Sequence, residues 1–177
     1  MLLGNLNIDV TQQTITSATG ISKSDFNKNG IYINHMVRAL QILTLDAMLW
    51  YKAHATIEDI RVLLDTYGYP VGVEWQGLFS DDEEIDDDTG HYSIVTCVDD
   101  ERKALIIVDP YKDFATQDRI IGIQTFLKRW WDDNELKDRV SGKKRMIRDE
   151  QLLFIITHAS ASFPSLLGMM PGSSYNS

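Results

Sequence analysis

The chain has one cysteine in 177 residues, Cys97. A single thiol excludes an internal disulfide and any thiolate-only metal cluster within one chain. This fits a reducing compartment, and a cytoplasmic protein is expected. Long apolar runs are also missing: nothing approaches the roughly 18 consecutive apolar residues of a membrane span. The Met1-Leu2-Leu3-Gly4 start has neither the basic region nor the long apolar core of a secretory signal, so no membrane partner is expected. Basic residues are scarce beside acidic ones, 17 against 26, giving a formal charge of −9. That imbalance is local, because Asp81, Asp82, Glu83, Glu84, Asp86, Asp87 and Asp88 share one loop and without those seven the balance is 17 to 19. The body is nearly neutral. Its basic cluster, Lys143-Lys144-Arg145, stands without interleaved aromatics, so no nucleic-acid partner is expected either.

What is present suits a globular domain: 44% of residues are hydrophobic, and the length allows one genuine core. Thr11 caps a predicted short helix that Gly20 stops. The stretch Gly20 to Asn34 is polar and reads as turn. A helix is predicted from about Asn34, with Met36, Val37, Leu40 and Leu43 on its buried stripe. Met48-Leu49-Trp50-Tyr51 reads as a strand. Thr56 opens a second clear helix in a capping-box arrangement with Asp59, Ile57, Ile60, Leu63 and Leu64 form its apolar face, and Gly68 ends it. Pro70 to Trp75 reads as a buried strand, Phe126 to Trp131 as a short helix, and Leu152 to Ile156 as an apolar strand after a charged connection. Residues 1–159 are expected to form the domain and residues 160–177, rich in serine, glycine and proline, a flexible tail. Helices lead and strands follow, so the expected class is α+β with an antiparallel sheet.

The most informative segment lies between these elements. Gly90-His91-Tyr92-Ser93-Ile94-Val95-Thr96-Cys97-Val98 and Lys103-Ala104-Leu105-Ile106-Ile107-Val108-Asp109-Pro110 are β-branched runs flanking a polar turn, and they predict an antiparallel hairpin. If Val98 faces Lys103, His91 falls opposite Pro110 with Asp109 one step away, and a small bulge or twist would complete the meeting. An imidazole oriented by a carboxylate is two-thirds of a catalytic triad. Cys97 does not supply the third member. It lies six positions along the same predicted strand, about 20 Å away at roughly 3.3 Å per residue, and reads as a small core residue.

Taken in order, Gly4-Asn5-Leu6-Asn7-Ile8-Asp9-Val10-Thr11-Gln12-Gln13, the Tyr32 to Leu45 helix, Ala55 to Pro70, Gly90 to Thr96, Val108-Asp109-Pro110 and Phe126 to Trp130 resemble the papain-like cysteine peptidases of the bacteriocin-processing type. The resemblance spans residues 1–157. It implies a papain-like fold with amino-terminal helices packed on an antiparallel sheet, His91 as general base and Asp109 as its orienting acid. It also implies a cysteine at the start of a helix, and an oxyanion-hole glutamine, upstream of the Gly4 to Gln13 segment. Residues 1 to 3 match only the tail of that helix, so the fold is expected to be incomplete at the amino end. The implied function is a peptidase-like domain, inactive as it stands for want of a nucleophile, with a peptide or peptide-like amide as ligand. The alternative is a noncatalytic peptide-binding or self-assembly module, and self-association is expected to accompany a missing central helix.

Other motifs read as structure. Asp25 to Gly30 begins like a calcium loop, but Met36 occupies the position where a bidentate glutamate is needed, so a glycine-containing turn is expected there. His35, His54 and His158 show no metal-ligand spacing. Trp75, Trp130 and Trp131 read as packing residues, and Pro110 as the residue that fixes the exit from the second hairpin strand. The acidic loop reads as a solvated loop or as a binder of a cation or basic peptide. No cofactor and no resident metal is expected.

Overall fold

The computed structural model of the chain describes residues 1–43, 45–79, 90–111, 113–114, 117–137 and 144–175. The expected acidic loop lies outside them. In chain order the helices are α1 (Gln12–Thr19), α2 (Lys23–Asn29), α3 (Ile33–Ile42), α4 (Ile57–Arg61) and α5 (Ile123–Arg129). The strands are β1 (Met48–Lys52), β2 (Val71–Gln76), β3 (Gly90–Asp99), β4 (Ala104–Val108), β5 (Asp118–Gly122), β6 (Trp131–Lys137), β7 (Lys144–Glu150), β8 (Leu153–Thr157) and β9 (Met170–Pro171). Helix and strand contribute comparably, and the class is α+β. Two compact units are present, one of Met1–Lys52 with Phe154–Ser177 and the other of Ala53–Leu153.

In the first unit α1 begins where the Thr11 side chain accepts from Thr14 N at 3.1 Å, and it ends at Gly20 in the left-handed region (φ 67°). The segment expected to be polar turn contains α2, capped by Ser22, whose hydroxyl accepts from Asp25 N. Its sequence, Lys-Ser-Asp-Phe-Asn-Lys-Asn, has no apolar stripe to reveal it. The Asp25 segment is therefore helix, and Gly30 (φ 68°) turns the chain into α3. Strand β1 lies between β8 and β9. Ile33, Leu40, Leu49 and Ile155 are buried there. The segment read as a flexible tail carries regular structure: Trp50 and Tyr51 pair with Pro171 and Met170, and Tyr175 is buried with its ring edge-on to Tyr51. A β-carbon at Gly172 would stand 2.6 Å from Val37 Cγ2, so that position admits only glycine without rearrangement.

The second unit carries the strand order β5-β4-β3-β2. Helix α4 has the expected capping box, with Thr56 N donating to Asp59 Oδ2 at 2.8 Å and Asp59 N to Thr56 Oγ1 at 3.1 Å. It continues as a π-helical turn, Val62–Thr66, before Gly68 (φ 71°). All six residues of β2 are buried, so both of its faces are covered. One face carries Val71, Val73 and Trp75, with α5 against it through Phe126, whose ring lies 5.6 Å from that of Trp75. The other carries Glu74 and Gln76, which meet the β6–β7 hairpin.

That hairpin differs from the charged connection expected, which was to follow a helix running to Trp131. It docks by a polar face. Asn134 Nδ2 donates to Glu74 Oε1 at 3.3 Å and to Asp149 Oδ2 at 2.9 Å, and Gln76 Nε2 donates to Asp132 Oδ1 at 2.9 Å. These five side chains are all buried. Glu74 Oε2 has no hydrogen-bond partner among the described residues. Burial first, then the charge of Asp132 and that of Asp149, push the Glu74 carboxyl up to about 8 against the opposing hydrogen bonds of Tyr92 and Asn134.

The β3–β4 hairpin forms in a different register from the one expected. Asp99 pairs with Ala104 and Val98 with Leu105, because Lys103 lies in the turn with a left-handed backbone (φ 51°) and cannot extend the strand. Between Val95 and Cys97 the register shifts: Val95 faces Ile107 while Cys97 faces Ile106. Thr96 is the extra residue of a bulge.

Candidate active site

Three neighbouring strands present one residue each to a common face. Trp75 pairs with His91, Val95 with Ile107, and Ile107 with Arg119. Opposed residues share a face and alternate residues along a strand return to it. His91, Asp109 just past the end of β4, and Arg119 therefore meet on the side of the sheet that carries Trp75.

His91 Nε2 lies 2.8 Å from Asp109 Oδ1. Tyr111 N donates to the same oxygen at 2.9 Å, and Arg119 Nη1 donates to the other, Oδ2. Asp109 has no exposed surface, and the His91 side chain retains 16% exposure. Burial alone would raise the Asp109 carboxyl, but the His91 hydrogen bond, the Tyr111 N–H, the charge of His91 and the Arg119 hydrogen bond together hold it down at about 2. An ionised carboxylate only accepts, so Nε2 carries the proton. In the neutral ring Nδ1 is then the basic nitrogen, and it makes no hydrogen bond among the described residues.

The walls are aromatic. The Phe79 ring stands edge-on to His91 at 5.1 Å and 4.6 Å from Tyr111, which lies 5.9 Å from Phe114. Phe79 folds back over Gly77, where any β-carbon would meet its ring at 2.3 Å. The Arg119 guanidinium lies 3.8 Å over the Phe114 ring, and its Nη2 donates to the Leu78 carbonyl. Ser93, two residues from His91 on the same face, is buried and accepts from Trp75 Nε1 at 3.0 Å.

Of the residues singled out in the sequence, His91 and Asp109 come together. Cys97 does not join them. Nor is it the core residue expected: it is exposed, because the bulge at Thr96 reverses the alternation and sets it beside outward-facing Ile106 instead of buried Leu105. The other histidines have local partners. His35 Nδ1 accepts from Tyr32 N at the start of α3, His54 lies 3.7 Å from Glu150, and His158 lies 3.6 Å from Asp46. Trp75 and Trp130 are core residues, while Trp131 lies under the Arg148 guanidinium at 4.2 Å. Arg119 escaped the sequence reading; its signal was a basic residue two positions before inward-facing Ile121 on the short strand Asp118–Gly122.

A family model described as the Peptidase_C39 like family matches residues 1–137. The chain belongs to that family. Its ancestry is that of a cysteine peptidase, and the matched region contains one cysteine, Cys97. No curated protein matches the chain. Both His91 and Asp109, with Arg119 and the aromatic wall, fall inside the region matched to the Peptidase_C39 like family. Among the described residues no three His, Cys, Asp or Glu side chains are grouped to hold a metal ion, and no helix is long and apolar enough to cross a membrane.

Proposed function

We propose that this chain is a papain-like peptidase domain whose His91–Asp109 pair faces a peptide or peptide-like amide, and that these 177 residues bind such a ligand without cleaving it. The observation that carries the reading is the 2.8 Å contact between His91 Nε2 and a fully buried, ionised Asp109 in a chain of cysteine-peptidase ancestry. Asp109 sets the tautomer and stabilises the imidazolium. Nδ1 is thereby the nitrogen that would accept the proton of an attacking thiol and later return it to the leaving amine.

Hydrolysis requires a thiolate within hydrogen-bond reach of that nitrogen. Cys97 is exposed, and it lies six positions along the strand from His91, about 20 Å at roughly 3.3 Å per residue. The Ser93 hydroxyl is buried, accepts from Trp75 Nε1, and makes no hydrogen bond to His91 among the described residues. The chemistry that remains is recognition: an oriented imidazole beside aromatic rings suits an amide flanked by an apolar side chain.

Fluorogenic peptide amides and nitrogen-15 spectra of the imidazole test both halves. We expect no turnover above that of His91→Ala, and saturable shifts of the His91 resonances with short peptide amides that vanish in Asp109→Ala. Turnover that His91→Ala abolishes would overturn the noncatalytic reading. Unmoved His91 resonances at millimolar peptide would overturn the binding one.

A further inference from the structure

We infer that Arg119 is a positioning residue for the His91–Asp109 pair, holding the Asp109 carboxylate in the one orientation that keeps the His91 proton on Nε2. The inference rests on reading those two residues as the acid–base pair. Oδ1 of Asp109 receives both His91 Nε2 and Tyr111 N, so the carboxylate is anchored at one oxygen only unless something holds the other. Arg119 Nη1 is what holds Oδ2.

The guanidinium is itself fixed on three sides. One nitrogen meets Asp109, the second donates to the Leu78 carbonyl, and the flat face lies 3.8 Å over Phe114. Its side chain is only 10% exposed. A planar fork pinned in this way has no freedom to follow a rotating carboxylate, so the carboxylate follows it. The Leu78 contact extends the effect, because Leu78 precedes Phe79, whose ring is T-shaped against the imidazole with centroids 5.1 Å apart. Arg119 therefore governs both the acceptor beneath the ring and the wall beside it. Lysine, a single point of charge without a second donor in the plane, would reproduce only the contact with Asp109.

The test reads the tautomer of His91 by nitrogen-15 spectroscopy, together with the solvent exchange of the Nε2 proton, in the whole chain. In the parent protein we expect a single Nε2–H tautomer at pH values where the ring is neutral. In Arg119→Gln the carboxylate turns, exchange quickens by about tenfold, and the Nδ1–H form becomes visible; Arg119→Lys lies between the two. Phe114→Leu leaves the arginine in place but removes its stacking surface, and it moves exchange in the same direction by about threefold. A purely structural arginine would lower the melting temperature and leave tautomer and exchange unchanged. That result in folded Arg119→Gln overturns the inference, and should that variant fail to fold, unchanged exchange in Phe114→Leu does so. Peptide binding enters neither readout, so failure of the binding proposal leaves this one standing and the reverse also holds.

Discussion

Replacing Glu74 with glutamine should stabilise the second unit at neutral and alkaline pH and do almost nothing near pH 4.5. Glu74 is 2% exposed, one of its oxygens has no hydrogen-bond partner among the described residues, and its folded-state value of about 8 stands well above the ordinary 4.5. Its ionisable neighbours are Asp132 on β6, Asp149 on β7 and Tyr92 on β3. A raised carboxyl pKa means that the folded state keeps its proton while the unfolded chain releases it, so stability falls as pH climbs from 4.5 toward 8. At about 1.36 kcal/mol per pH unit the loss is about 3 kcal/mol at pH 7 and about 4 kcal/mol at pH 8, levelling above that. The amide has nearly the same shape, never ionises, and can donate toward the two aspartates. Urea unfolding followed by tryptophan fluorescence at pH 5, 6, 7, 8 and 9 would compare the two proteins. We expect the free-energy difference to widen by about 3 kcal/mol between pH 5 and pH 8. Parallel curves that stay within about 0.5 kcal/mol of each other would refute the argument, because a Glu74 that ionises freely in the fold carries no such linkage.

Removing Asp109 as alanine strands Arg119 and should cost about 3–5 kcal/mol by urea unfolding at pH 7. With Asp109 intact, its lowered pKa gives the opposite pH dependence: the contribution is complete above 3.8 and disappears as pH falls to about 2, about 2 kcal/mol in all, and Asp109→Asn should abolish that acid limb. Gly90→Ala would put a β-carbon 2.3 Å from Asp132 Oδ1 and should cost about 1–3 kcal/mol while breaking the Gln76–Asp132 hydrogen bond, visible as a shifted Gln76 side-chain resonance. Cys97 should react with a thiol reagent in the folded protein at within about tenfold of the free-thiol rate, whereas protection until denaturant is added would contradict its exposed position.

Much of the local structure could be read from the chain because its causes are local. Thr11, Thr56 with Asp59, Gly20 and Gly68 act within one helical turn, and each does what its residue type requires. The meeting of His91 with Asp109 was legible too, though by the wrong register, since a left-handed Lys103 and a bulge at Thr96 are choices that alternation alone does not reveal. The β6–β7 hairpin was opaque for a different reason. Its inward residues are Asp132, Asn134 and Asp149, so the usual sign of a buried strand face is reversed, and only the buried acid and amide on β2 make sense of it. Arg119 was hidden because its reason for being there lies across two strands.

The bulge at Thr96 also insulates the site from the turn. The residues at 91, 93 and 95 take their facing from β2 and from the β4 positions before the shift, whereas those from Cys97 onward take theirs from the turn. Mutations that lengthen or retype the Asp100–Lys103 turn can therefore be absorbed at Thr96 without rotating His91 away from Asp109. Deleting Thr96 would make Val95–Ile107 and Cys97–Ile106 consecutive pairs of one regular ladder, so the imidazole and the turn would both keep their facing. The extra residue is what lets an odd-numbered His91 face inward on one side of the bulge and an odd-numbered Cys97 face outward on the other.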